Sequence, residues 1–215
     1  MSDKPVFPPD RLDTQGAVAG ETLDVAQLPS YVFGARGIMW WGTMGVVAIE
    51  GTVFAMAIAT YFYLRTNGDT WPMGVPAPDL RWGVLNTLIM LASLLPNHWT
   101  LHRAKAHDLG RVRGGMLVCL VMGAAFILVR VFEFRTLNVS WDSNAYGSIV
   151  WMLLGLHTVH LLTDFGDTLV LYVLMLTGPL EGRRFVDVAE NAEYWDFVVL
   201  AWLPVFATIY IAPRF

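Results

Sequence analysis

Residues 155–167 read GLHTVHLLTDFGD and place His157, His160, Asp164 and Asp167 inside a long apolar run, 146–176. Imidazoles and carboxylates carry protons and bind metals, so their spacing matters. At 100° per residue, offsets of 0, +3, +7 and +10 fall within about 80° of one another, which makes one polar stripe on an otherwise apolar helix. A zinc or iron centre needs three or four ligands in a defined geometry. The chain offers no HExxH, no second histidine pair at matching depth, and one cysteine, Cys119. His98 and His102 lie near one end of their apolar segment, whereas His157 lies near the middle of its own. The ligand set is incomplete, and the two histidines are expected to hydrogen-bond to neighbouring helices. No resident metal or haem is expected.

Glu50 is the sharpest single feature, lying well inside the first apolar segment. A carboxylate at that depth costs several kcal/mol unless it is paired or protonated. It is either a site for protons, lipid or interhelical coupling, or an acid that fixes helix packing. Arg130 and Glu133 have i,i+3 spacing and by that alone read as a snorkelling pair at a helix end. Asp164 and Asp167 read as closer to the membrane surface and hydrated. Asn86 and Thr87 are candidates for hydrogen bonds across a helix interface.

The elements that must hold these groups follow from composition. The chain has 215 residues, 55% hydrophobic and 15% charged, with a mean hydropathy of +0.50. A soluble domain carries about 25% charged residues. The charges here cluster between long apolar runs, which marks an integral membrane protein. The net charge of −4 gives no sign of a nucleic-acid partner. No nucleophile–base arrangement, phosphate loop or nucleotide fingerprint is present, and no signal peptide is expected.

Residues 1–36 form a polar, proline-bearing N-terminal tail, followed by a transmembrane domain over 37–215. Apolar segments occupy 37–64, 82–102, 114–132, 146–176 and 194–211, each long enough to cross a hydrocarbon core. The expected fold is an all-α bundle of five transmembrane helices, because a helix satisfies its own backbone in lipid. The tail, the 103–113 connection and Arg183–Arg184 share one side and hold nine Lys and Arg residues. The opposite side holds Arg65, Arg81, Arg135 and Arg214. The positive-inside rule then puts the N-terminus in the cytoplasm and the C-terminus on the periplasmic face. Trp40, Trp41, Trp71, Trp82, Trp141 and Tyr146 lie near segment ends, as an aromatic belt would.

Taken in order, WWGTMGVVAIEGTVFAMAIATYFYLR, LNTLIMLAS, GLHTVH and YWDFVVLAWL resemble subunit III of the haem–copper cytochrome c oxidases. The resemblance spans about 40–210. It implies that Glu50 is that family's buried carboxylate, that His157 and His160 form its paired-histidine motif, that Glu133 is the acid ending the next helix, and that His102 is the loop-side histidine. It implies the last five helices of a seven-helix form, as in short bacterial subunits III of the inner (cytoplasmic) membrane. It further implies a non-catalytic accessory subunit that packs on oxidase subunit I beside subunit II. Such a subunit supports proton uptake and turnover stability and holds phospholipids in a V-shaped cleft, with Trp40, Trp41 and Glu50 as lipid contacts. Haem and copper would sit in the partner subunits, with no cofactor in this chain. The accessory subunit of a nitric oxide reductase has a similar pattern. A haem- or quinone-bearing membrane enzyme and a proton-coupled transporter are the alternatives from other classes. The terminal motif departs from the family's: Asp196 stands where a histidine is usual and Val199 where an aspartate is usual.

Overall fold

The computed structural model describes residues 11–12, 18–19, 32–68, 70–178 and 182–215. The chain divides into two units, Met1–Ser30 and Tyr31–Phe215. Within the first, β1 (Arg11–Leu12) and β2 (Val18–Ala19) pair antiparallel. Most of the predicted tail lies outside the described residues.

The second unit is helical: α1 (Ile38–Asn67), α2 (Leu80–Lys105), α3 (Leu109–Arg135), α4 (Ala145–Thr177) and α5 (Gly182–Phe206). By length and apolarity α1, α3, α4 and the span from Gly182 to Arg214 could each cross a membrane. α2 is long enough but more polar, carrying Asn86, Asn97, His98, His102, Arg103 and Lys105. It packs between α3 and α5, where its polar groups find partners. Asp79, Asp108 and Asn144 cap α2, α3 and α4 by accepting from a backbone N–H two or three residues on.

Helices α2, α3, α4 and α5 form a ring of contacts, α2 against α3, α3 against α4, α4 against α5, and α5 back against α2. Helix α1 lies on the α4–α5 seam and buries only Phe54, Ala57 and Tyr61. The main core runs through the ring and under α1, with Met90, Phe126, Leu153, Leu154, Val199 and Trp202 at its centre. At one end of the bundle Lys105 of α2 meets Glu193 of α5, and Arg113 of α3 donates to the Met175 carbonyl near the end of α4. At the other end Arg214 donates to the Pro78 and Tyr210 carbonyls.

Two expectations need correction here. Helix α5 begins at Gly182, twelve residues before the predicted segment. Its first three turns are amphipathic, burying Phe185, Val186, Val188, Ala189 and Ala192 while Asp187 and Glu193 stay partly exposed. An apolar-run criterion misses such a start. Tyr146 also departs from an interfacial belt. Tyr146 is fully buried and meets the rings of Trp71 and Tyr61 edge-on or tilted.

Candidate functional site

The four residues of the α4 stripe do not share one environment. Three residues along a helix turn a side chain by 300°, so His157 and His160 point about 60° apart. That difference sends them to different neighbours.

His157 is fully buried and faces α3 and α5. Its Nδ1 lies 3.1 Å from an Arg130 nitrogen, and its Nε2 lies 3.1 Å from the Val198 carbonyl. A guanidinium only donates, so Nδ1 accepts and Nε2–H donates to the carbonyl. His157 is therefore a neutral imidazole with its proton on Nε2. Arg130 also ion-pairs with Glu133 at 3.0 Å. Asn86 of α2 donates to one Glu133 oxygen at 2.6 Å, and the Tyr210 hydroxyl donates to the other at 3.0 Å. The Arg130 guanidinium lies 4.2 Å over the Trp202 ring, a cation–π contact on a face where its Nε has no acceptor. Trp202 in turn donates to Thr87 at 2.7 Å. Four helices and the C-terminal turn thus converge on one buried, charge-balanced pair.

Local backbone places Tyr210. Pro204 interrupts the last helix, and the turns widen into a π-helix over Ala207–Ile211. The ring then passes Gly83 of α2, where a Cβ would lie 2.7 Å from it. Only glycine leaves the ring that path.

His160 faces α1. Its Nδ1 lies 2.7 Å from the Leu156 carbonyl, which requires Nδ1–H to donate. Its Nε2 lies 3.3 Å from Glu50 Oε1, and the Tyr194 hydroxyl donates to Glu50 Oε2 at 2.7 Å. With Nδ1 already a donor, Nε2 and the Glu50 carboxyl can hydrogen-bond to each other only where one of the two carries a further proton. The Phe54 ring lies tilted beside both histidines, at centroid distances of 5.0 Å from His160 and 6.1 Å from His157.

Glu50 also lines an open cleft of about 530 Å³ between α1, α4 and α5. Thr43, Asp167, Asp187, Glu190 and Tyr194 line it with Glu50, and among the described residues no Lys or Arg does. Trp40 and Trp41 stand on the first turn of α1, ring against ring at 5.0 Å, with Trp41 exposed and donating to the Ala35 carbonyl.

The profile of the family described as Cytochrome c oxidase subunit III matches residues 32–213, nearly the whole described helical unit. The chain belongs to the cytochrome c oxidase subunit III family. It is similar to cytochrome c oxidase subunit 3 of Thermostichus vulcanus, 27% identical over 177 residues that cover 81% of this chain and 87% of the relative. It is similar to cytochrome c oxidase subunit 3 of Corynebacterium diphtheriae, 27% identical over 175 residues, 79% of this chain and 85% of the relative. It also matches the heme-copper oxidase subunit I+III of Aeropyrum pernix, 26% identical over 186 residues, 82% of this chain and 22% of that longer protein. Family and apolar helices together make the chain a multi-pass membrane protein.

On this subunit III chain the motif residues fall into distinct positions. Glu50, His157, His160 and Glu133 all belong to the networks above. His102 does not: it is exposed on the last turn of α2, so its grouping with buried polar residues is corrected. The snorkelling reading of Arg130–Glu133 is also corrected. Both side chains are buried, because Asn86, Tyr210, His157 and Trp202 supply partners that spacing along one helix does not reveal. Asp164 is buried inside the bundle rather than at the membrane surface, whereas Asp167 is exposed toward the cleft. Sequence reasoning missed Tyr194 and Tyr210, whose hydroxyls complete the two carboxylate sites. It also left Asp196 without a role. Asp196 pairs with His98 Nε2 at 3.0 Å and accepts from Asn97 at 3.1 Å, joining α5 to α2. Among the described residues no three His, Cys, Asp or Glu side chains cluster as a metal would need.

Proposed function

We propose that this chain is the non-catalytic accessory subunit of a haem–copper terminal oxidase in a bacterial cytoplasmic membrane. It crosses the membrane five times, with the N-terminus cytoplasmic and the C-terminus periplasmic. It packs on subunit I beside subunit II, and those partners hold the haem and copper. Its cleft takes phospholipid, with Trp40 and Trp41 near the mouth and Glu50 at depth, and the subunit supports proton uptake and turnover stability.

The observation that carries this reading is the Glu50–His160–Tyr194 arrangement beside an open cleft. It brings a carboxyl, an imidazole and a phenol together part-way along a membrane helix, at the wall of that cleft. The subunit I+III protein of Aeropyrum pernix supports subunit I as the neighbour, since by its name both parts form one chain there. The test is to purify the oxidase with and without this chain and follow oxygen consumption over time at high pH. Slower proton-limited turnover and a shorter active lifetime without the chain are expected. Equal initial rates with equal lifetimes would reject proton support and leave a structural role.

A further inference from the structure

Asn191 belongs to two walls at once. On one side it lines the open cleft with Asp167 and Tyr194. On the other it lines a small cavity of about 40 Å³ between α2, α3, α4 and α5. Ser93, Asn97 and Thr100 from α2 face this cavity, as do Asp164 and Thr168 from α4. Such a volume with several polar groups on its wall suits about one or two water molecules.

Asp164 is 4% exposed, and its one hydrogen bond among the described residues comes from the Asn191 amide at 3.1 Å. The same amide accepts from Thr168 at 2.9 Å, so Asn191 is clamped from both sides across the partition. Among the described residues no Arg, Lys or His lines the cavity. Helix α2 brings only uncharged groups, α5 brings Val188, Ala192 and Trp195 besides Asn191, and α3 brings Cys119 as the other titratable side chain. Asp167 lies three residues along α4 and faces the cleft. A bare carboxylate among these groups would be uncompensated, whereas a carboxylic acid can donate to water in the cavity.

We propose that this cavity is a hydrated proton-holding site with Asp164 as its acid, and that water and protons reach it from the cleft past Asn191. The proton passes between cleft water and the Asp164 carboxyl oxygen, with no other reactant. The site is separate from the Glu50–His160 pair, and it does not depend on the proton-support role proposed above. Asn191 acts as a shutter: rotating its side chain breaks two hydrogen bonds and joins cavity to cleft.

Infrared spectroscopy of the purified oxidase containing this subunit, transferred into heavy water, tests the proposal. Asp164→Asn, nearly isosteric, should remove one carboxylic-acid carbonyl band, and Glu50→Gln should leave that band in place. Asn191→Ala should speed deuteration of the band about tenfold and Asn191→Leu should slow it about tenfold, as expected of a local opening. Thr168→Val, which frees one side of the clamp, should also speed it and serves if the Asn191 variants do not assemble. Absence of a band lost in Asp164→Asn would overturn the acid. Loss of the same band in Glu50→Gln would assign it elsewhere and overturn the site. Unchanged exchange in the Asn191 and Thr168 variants would overturn the route.

Discussion

Glu50 of α1 and His160 of α4 meet at 3.3 Å, carboxyl oxygen to Nε2, a polar contact between α1 and the ring of four helices. Tyr194 reaches the same carboxylate from α5. Because α1 buries so little else, this contact should weigh heavily in its docking. Glu50→Gln keeps an acceptor for Tyr194 and a partner for His160, so it should cost little. Glu50→Leu strands both, at about 1–3 kcal/mol for each polar group left unsatisfied. The thermal midpoint of the detergent-solubilised oxidase should fall clearly for the leucine variant and barely for the glutamine one. Equal midpoints would mean the contact does not hold α1.

Arg130 and Glu133 are expected to behave as a unit. Removing one charge of a buried pair costs about 3–5 kcal/mol, whereas replacing both with apolar groups is often neutral. Arg130→Met should therefore destabilise the subunit far more than Arg130→Met combined with Glu133→Leu. A denaturation series on the two variants measures the difference, and additive losses would contradict the pairing.

His157 is expected to show opposite nitrogens to His160. Nitrogen NMR of histidine-labelled oxidase at neutral pH should find His157 protonated at Nε2 and bare at Nδ1, assigned by loss of the signals in His157→Gln. In His160 the Nδ1 should carry hydrogen. A bare His160 Nδ1, or a doubly protonated His157, would contradict the hydrogen-bond geometry.

Asp142 lies between α3 and α4, where the Ser140 hydroxyl donates to it at 2.6 Å and holds its carboxyl below the usual carboxylate range. A carboxyl depressed in the folded state contributes stability above its unfolded value and loses it as the pH falls through the folded one. The Ser140–Asp142 contact should thus be intact at neutral pH and open only in acid. Ser140→Ala should move the Asp142 titration upward, read by carbon NMR of labelled aspartate. An unmoved titration would assign the depression to another cause.

Much of the fold was legible because membrane insertion is a local property. Residues such as Val118 and Leu169 lie in runs whose length and apolarity suffice to mark helices α1, α3 and α4. The start of α5 was not legible, since residues 182–193 alternate buried and polar faces and need the neighbouring α2 and α4 to make them helical in context. The candidate site divides the same way. Glu50, His157 and His160 stood out because ionisable groups inside apolar runs are costly. Tyr194, Tyr210 and Asn191 did not, because single hydroxyls and amides are common in helices and cost less to bury than charges.

The sequence by itself determined that the chain is a helical membrane protein, that its motifs run in the order of the subunit III family, and that four ionisable residues share one stripe of α4. Only the tertiary structure decided what each of them meets. His157 is met by a cation, His160 by an acid, Asp164 by an amide beside a cavity, and Asp167 by the open cleft. Periodicity fixes the direction of a side chain from its own helix axis. The charge that meets it comes from helices remote in sequence, and their packing is set by the whole bundle.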